Sequence, residues 1–120
     1  MVLRNCRNVS LSGVILQHTR EATMPVTSSI EVRGCQNVSL TGMQIINARV
    51  RGIALEGCST VRIADCTIRG RAQDKSYRAA ITMDKECRQI MVVNNFLGRG
   101  SDGALQVPKE MGTAGGNLEV

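Results

Sequence analysis

The chain has 120 residues and a formal net charge of +5, and 42% of its residues are hydrophobic although it contains one Phe, one Tyr and no Trp. This length suffices for one small domain, and the apolar fraction is too high for a disordered chain. No run approaches the roughly 20 apolar residues of a membrane-spanning helix, so we expect no membrane partner.

Four successive rows of the sequence align on a cysteine, and they begin at Met1 (MVLRNCRNVSLSGVIL), Ile30 (IEVRGCQNVSLTGMQI), Ile53 (IALEGCSTVRIADCTI) and Ile81 (ITMDKECRQIMVVNNFL). Apolar residues alternate with polar ones on both sides of each cysteine, and Gly, Asn or Asp interrupts every row. Alternation with a period of two, broken at turn-forming residues, predicts three short β-strands per row. Helical spacing fits poorly, because β-branched residues dominate.

Three strands in so short a repeat cannot each bury an apolar face alone. They can do so if equivalent strands of successive rows stack in parallel and close a coil around one continuous interior. The sequence therefore predicts an all-β fold, a parallel β-helix of about four to five coils with three short strands per coil. Such thin layers need few aromatic side chains, which agrees with the composition.

The blocks CQNVSLTGMQI and CSTVRIADCTI resemble the repeat of the right-handed, pectate-lyase-like parallel β-helix superfamily. The resemblance implies a right-handed coil over residues 1–107, followed by a C-terminal tail or partial coil at residues 108–120. Members of the superfamily include polysaccharide lyases, hydrolases, epimerases, phage tail spikes and adhesins. The fold alone therefore does not choose a function.

Two connections, at residues 17–29 and 69–80, are longer than the others and leave the same corner of the coil two rows apart. They should border the outward face of each row's first strand, where the resemblance implies a saccharide cleft. The candidate ligand-binding side chains are three on the strands and four on the loops: Arg33, Glu56 and Asp84, then His18, Lys75, Tyr77 and Arg78.

Each candidate also has a purely structural interpretation. Arg33, Glu56 and Asp84 could form a surface charge ladder on neighbouring strands, or contact another protein. Tyr77, flanked by Lys75 and Arg78, suits a hydrogen-bonding platform for sugar but also a local packing role. His18 suits a loop-surface role better than a catalytic one.

The function predicted from these features is binding or assembly, with carbohydrate as a ligand. The alternative is a polysaccharide lyase, hydrolase or epimerase whose cleft lies on the first-strand face. Glycoside hydrolysis uses two carboxylates at a set separation, and Glu56 and Asp84 on adjacent rows are close enough for that, but nothing in the sequence marks either as an acid with a raised pKa. The chain has no Asp-Pro-His-Asp and no Gly-His-Gly motif, so we assign no catalytic residue and no cofactor.

The cysteines are expected to be reduced and buried. Stacked residues on in-register parallel strands keep their Cβ atoms about 4.8 Å apart, beyond the usual separation of a disulfide. The sequence has no Cys-x-x-Cys pair of the kind that binds zinc, so no metal is expected. Free thiols favour a reducing, cytoplasmic compartment for a complete chain, and an exported protein if the chain is a fragment.

The basic residues are scattered and lack a set of stacking aromatics, which argues against a specific nucleic-acid partner. Charge alone supports a loose attraction to polyanions, acidic polysaccharides included. A basic edge is predicted at the third corner of the coil, from Arg49, Arg51, Arg69, Arg71 and Arg99.

The ends of the predicted coil expose strand edges and apolar interior, which solenoid proteins normally cover. Either the coil belongs to a longer β-helix or another chain covers its ends. We therefore expect a homo-oligomer, in which Leu118–Val120 adds a strand.

Overall fold

A computed structural model describes residues 1–19, 26–105 and 107–120, and these residues form fourteen β-strands and no helix. The first sheet holds β1 (Val2–Arg4), β4 (Ile30–Arg33), β7 (Arg51–Glu56) and β10 (Ala79–Met83). The second sheet holds β2 (Arg7–Ser12), β5 (Gln36–Thr41), β8 (Ser59–Ala64), β11 (Arg88–Val93) and β13 (Gly112–Gly115). The third sheet holds β3 (Ile15–Gln17), β6 (Gln44–Ala48), β9 (Thr67–Gly70), β12 (Phe96–Leu97) and β14 (Leu118–Glu119).

The chain visits the three sheets in turn, and every pair of neighbouring strands in them is parallel. Equivalent positions of successive rows are direct partners, as in the series Val9, Val38, Val61 and Ile90. The prediction of a short parallel β-helix with three strands per coil is confirmed. The register follows the cysteine alignment because a slip of one residue would turn each apolar side chain outward.

Residues with a left-handed backbone turn the chain from one sheet to the next. Between the second and third sheets this residue is Gly13, Gly42, Asp65, Asn94 and Gly116 in successive coils, with φ of 70°, 61°, 56°, 58° and 66°. Glycine, Asn and Asp adopt this conformation most readily, which explains why these types recur at the predicted breaks.

A second left-handed position lies inside four of the five strands of the second sheet, β2, β5, β8 and β11, and has no counterpart among the sequence expectations. It is occupied by Asn8, Asn37, Thr60 and Gln89, with φ of 60°, 56°, 57° and 56°. Stacked side chains bond here from coil to coil: Asn37 Nδ2 donates to Asn8 Oδ1 at 2.8 Å, and Thr60 Oγ1 donates to Gln89 Oε1 at 2.7 Å. This polar ladder offsets part of the cost of left-handed backbone at a β-branched residue.

The interior is one apolar stack in which Cys6, Cys35, Cys58 and Cys87 occupy one column, and Cys66 lies in another, before β9. All five cysteines are free thiols, and Cys35, Cys58, Cys66 and Cys87 are buried. The Cys35, Cys58 and Cys66 thiols each donate to the carbonyl oxygen two residues earlier, at 3.3 Å. The predicted ladder of buried thiols is present, and these residues act as small apolar side chains with a satisfied donor.

The last thirteen residues continue the coil in two of the three sheets. Gly112–Gly115 pairs with β11 and Leu118–Glu119 pairs with β12, so β13 and β14 add to the second and third sheets. At the other end, the interior side chains of the first row are only partly buried and pack on the core from one side. The homo-oligomer expected to cover such an end stays a prediction. None of the described residues forms a helix able to span a membrane.

Candidate functional site

A shallow groove of about 300 Å³ follows the outward face of the first sheet. Its lining includes three predicted side chains, Arg33, Glu56 and Asp84, together with Thr27 and Ser28 from the 17–29 loop. Arg33 and Glu56 are register partners on β4 and β7, and Asp84 follows β10, where its N–H donates to Leu55 O at 3.1 Å. Residues 20–25 of that loop lie outside the described residues.

The charges in this groove compensate one another. Arg33 Nη2 lies 3.2 Å from Glu31 Oε2, and Arg33 Nε lies 3.3 Å from Glu56 Oε2. The second contact is electrostatic, because the Nε–H is not aligned for a hydrogen bond. The Arg33 and Glu56 side chains are 43% and 53% exposed, so solvent screens the pair and it contributes about 0–1 kcal/mol.

Asp84 has a structural task in the groove. Its Oδ1 accepts hydrogen bonds from Gly57 N at 3.0 Å, Glu86 N at 3.2 Å and the Cys87 thiol at 3.3 Å. The carboxylate thus holds the turn between β10 and β11 and ties it to the preceding coil. All three donors bind the same oxygen, so the carboxylate is held in place as part of the turn.

His18 lies outside this groove and closes the base of the 17–29 loop. Its Nε2 lies 2.9 Å from Ser29 Oγ, and its carbonyl oxygen accepts from Asn47 Nδ2 at 3.4 Å and from Arg71 at 3.5 Å. Burial lowers the pKa of His18, and the nearby charges of Arg49 and Arg71 lower it further. These contacts fit the structural interpretation of His18.

The predicted loop residues are divided between two surfaces. Arg78 Nε lies 2.7 Å from Asp102 Oδ2, and Asp102 lines the first-sheet groove, so Arg78 borders it. Lys75 lines a different cavity on the other side of the 69–80 loop. Arg33, Glu56 and Asp84 therefore share one surface without Lys75 or Tyr77.

Tyr77 is a packing residue, which was the second of its two interpretations. Only 6% of it is exposed, and its hydroxyl donates to Gly98 O at 2.7 Å. A Cβ atom at position 70 would collide with the ring, so Gly70 is required for this packing. Burial raises the pKa of Tyr77 to about 12. The ring forms part of the floor of the cavity that Lys75 lines.

This second surface, the loop cavity, is an open recess of about 900 Å³ between the 69–80 loop and the segment at 98–101. Its rim carries four basic side chains, Arg69, Arg71, Lys75 and Arg99, against the single carboxylate side chain of Asp74. Asp74 fixes the loop, because its Oδ1 accepts from Ser76 N at 2.9 Å and from Ser76 Oγ at 2.6 Å. These two bonds lower the pKa of Asp74, which stays ionised but directed at its own loop.

The basic side chains of the loop cavity are largely uncompensated. Within the described residues, the side chains of Arg69 and Lys75 make no hydrogen bond or ion pair. Arg99 has only a loose contact, with its Nη1 at 3.8 Å from Glu119 Oε2 and its side chain 72% exposed. A recess lined by four basic side chains, two of which have no partner among the described residues, has a positive potential that attracts anions.

The sequence predicted part of this site. Three members of the basic edge predicted at the third corner of the coil, Arg69, Arg71 and Arg99, line the loop cavity. Arg51, a fourth member of that predicted edge, lines the first-sheet groove instead. The recess itself was missed, because it is enclosed by two segments that are about thirty residues apart in the chain.

Across the part of the chain that the structure describes, no three His, Cys, Asp or Glu side chains are grouped so as to hold a metal ion. Comparison with known proteins found no matching family model, no matching curated protein and no matching solved structure.

Proposed function

We propose that the protein is a β-helix binding module that takes an acidic polysaccharide into the loop cavity. The observation that carries the proposal is the pair Arg69 and Lys75 in the lining of an open recess, whose side chains have no partner within residues 1–19, 26–105 and 107–120. A guanidinium group binds a carboxylate or sulfate through charge-assisted hydrogen bonds. The volume of about 900 Å³ is within the range of ligand pockets, about 300–1,000 Å³.

The chemistry of the lining favours a saccharide over a nucleic acid. Single-stranded nucleic acids bind mainly by stacking successive bases on aromatic side chains. The chain has only one Phe and one Tyr, and Tyr77 is buried. In contrast, Gln73 and Ser101 in the loop cavity can exchange hydrogen bonds with sugar hydroxyls, next to the cations that would hold the acidic groups.

The family proposed for the chain is the pectate-lyase-like superfamily, and the support for it is the repeat pattern together with the parallel coil. Polysaccharide ligands are frequent in that superfamily. The resemblance therefore agrees with the ligand class that the lining of the loop cavity favours.

Binding is preferred over the enzymatic alternative because the carboxylates of the first-sheet groove already interact with other groups of the protein. Acid–base catalysis there would need two available carboxylates, Glu56 and Asp84. Asp84 accepts three hydrogen bonds from the protein, and Glu56 is paired with Arg33. We therefore propose no catalytic residue, and turnover is one of the outcomes that the experiment below can reveal.

The experiment measures binding of polygalacturonate, dextran sulfate, neutral dextran and a single-stranded oligonucleotide by calorimetry, with release of new chain ends followed in parallel. We expect the two acidic polysaccharides to bind, with an affinity that falls as salt is added. The double variant Arg69→Gln/Lys75→Gln should lower that affinity about tenfold, or about 1.4 kcal/mol. Arg4→Gln/Arg7→Gln is the matched control, because it removes two exposed charges from the first coil.

Equal losses in the two double variants would contradict the proposal, since they would indicate attraction to the net charge alone. Stronger binding of the oligonucleotide or of neutral dextran would assign a different ligand. Release of new chain ends from polygalacturonate would show cleavage, and the protein would then be assigned as an enzyme rather than a binding module.

A further inference from the structure

The outer face of the third sheet carries large apolar side chains that are exposed. Phe96 on β12 and Leu118 on β14 are register partners, and they are 48% and 60% exposed. Val120, two residues beyond Leu118 on the same face, is 51% exposed and lines the loop cavity. We call these three residues the apolar strip.

Phe96 is the most informative member, because it is the only Phe of the chain. Strand alternation directs it outward, since its neighbour Leu97 is directed into the core and is 1% exposed. The register partner of Phe96 on β9 is Thr67, a polar residue of the kind expected on a solvated surface. A contiguous exposed apolar surface that is surrounded by polar residues is typical of an interaction site.

The apolar strip is continuous with the loop cavity. Arg69 follows Thr67 by two residues on β9, so strand alternation places it on the same outer face as Phe96. With strands about 4.8 Å apart and about 3.3 Å per residue, the Cα atoms of Arg69 and Phe96 are about 8 Å apart on the diagonal. A cation of the cavity rim and an aromatic ring therefore lie within the reach of one ligand.

We infer that the apolar strip extends the binding site, and that Phe96 packs against the apolar face of a sugar ring in an acidic chain that continues out of the loop cavity. The inference rests on the proposed function. A pyranose ring has C–H groups on its faces and polar groups around its edge, so one ring can cover Phe96 while its carboxylate contacts Arg69. The ligand is therefore a chain of several acidic sugars rather than a single residue.

A second copy of the protein suits this surface less well. In a symmetric pair the two strips would face each other, and the basic rims beside them would be brought together as well. The net charge of +5 and the unpaired cations of the rim oppose that arrangement. An acidic chain has the complementary charge and also an apolar face.

The experiment compares binding of digalacturonate and hexagalacturonate to the wild type and to Phe96→Ala. We expect the substitution to weaken binding of the hexamer about five- to tenfold, and to leave binding of the dimer within about twofold, because the dimer fits in the loop cavity alone. Ile15→Ala is the matched control: Ile15 lies in the same outward column on β3, three strands away, and is 61% exposed. It should change neither affinity.

A tryptophan at position 96 supplies a direct readout. The chain has no Trp, so Phe96→Trp places the only indole on the apolar strip. The variant should retain affinity for the hexamer, and its emission should shift to shorter wavelength when the hexamer, but not the dimer, is added.

The outcomes separate the inference from the proposal on which it rests. If Phe96→Ala binds the hexamer as the wild type does while Arg69→Gln/Lys75→Gln does not, the inference is wrong and the proposed function stands. Failure of the wild type to bind either acidic ligand overturns both. A dimer that is seen by light scattering, and that Phe96→Ala dissociates, would assign the strip to a second copy instead.

Discussion

The first-sheet groove and the loop cavity are built from the same repeat, but only the groove neutralises its own charges. In the groove, Arg33 has a carboxylate on its own strand and another on the next strand. In the loop cavity, Arg69 and Lys75 have no partner among the described residues. The difference follows from position. Arg33 has the oppositely charged Glu56 as its register neighbour, about 4.8 Å away. Lys75 is on a loop, and Arg69 lies near the end of β9, where the register between β6 and β9 shifts.

Charged residues at one repeat position of stacked strands are therefore weak evidence for a ligand-binding site, because residues on neighbouring strands can pair with them. Charges at corners and on long loops are stronger support when they surround a recess. The predictions below test this contrast between the two surfaces, beginning with the substitution that should have the largest effect.

Tyr77→Ala should lower the free energy of unfolding by about 3–5 kcal/mol, the usual cost of removing a buried aromatic side chain. It should also abolish binding of acidic ligands in the loop cavity, because the ring holds the loop against Gly70 and the hydroxyl bonds to Gly98 O. Denaturant unfolding and calorimetry measure the two effects.

Tyr77→Phe is the control for the ring. It retains the packing and leaves the Gly98 carbonyl without its donor, so it should cost about 1 kcal/mol and keep most of the binding. If Tyr77→Ala costs no more than Tyr77→Phe, the cavity floor does not depend on this ring.

Asp84→Ala should lower the free energy of unfolding by about 1–3 kcal/mol, because Gly57 N, Glu86 N and the Cys87 thiol lose their acceptor. Binding of acidic ligands should stay within about twofold of the wild type, since Asp84 lies in the other surface. Glu56→Ala is the matched control and should cost less than about 1 kcal/mol. A larger loss for Glu56→Ala than for Asp84→Ala would reverse the roles assigned to the two carboxylates.

The fold could be predicted from the sequence because the interior of a coil repeats its side-chain types. The recurrence of Val38, Val61 and Ile90 at equivalent positions of successive rows predicts that they are register partners. The Gly, Asn and Asp residues at the breaks predict the turns. The left-handed residues at Thr60 and Gln89 could not be predicted in this way. They lie before the alternating apolar positions of their strands and leave that alternation unchanged.

The site could be predicted only in fragments, since it depends on contacts that do not repeat. Tyr77 is the only Tyr, and its burial depends on the missing side chain of Gly70 and on the carbonyl oxygen of Gly98, 21 residues away. Charge counting placed Arg69 and Arg99 on one corner, but the recess between them requires both the 69–80 loop and the 98–101 segment. Repeats predict the scaffold, and the departures from the repeat form the surface that we propose binds ligand.

Arg33→Gln should have a small effect on both stability and ligand affinity. Its ion pairs are exposed, so the free energy of unfolding should fall by less than about 1 kcal/mol, and less still in high salt. Affinity for polygalacturonate should stay within about twofold of the wild type. A tenfold loss of affinity would move the binding site to the first-sheet groove and would contradict the contrast drawn here.

The smallest effect is expected from the titration of His18, the only histidine of the chain. Burial, with a contribution from Arg49, holds the folded pKa below the ordinary value of 6.5. The stability associated with the neutral ring is therefore fully present above pH 6.5 and is lost as pH falls through the lower folded pKa. Proton NMR of the imidazole should give a midpoint below 6.5. His18→Gln should reduce the loss of stability on acidification, because Gln has no proton to gain. A midpoint above 6.5 would mean that the charged ring is stabilised at the base of the 17–29 loop, in conflict with the basic residues around it.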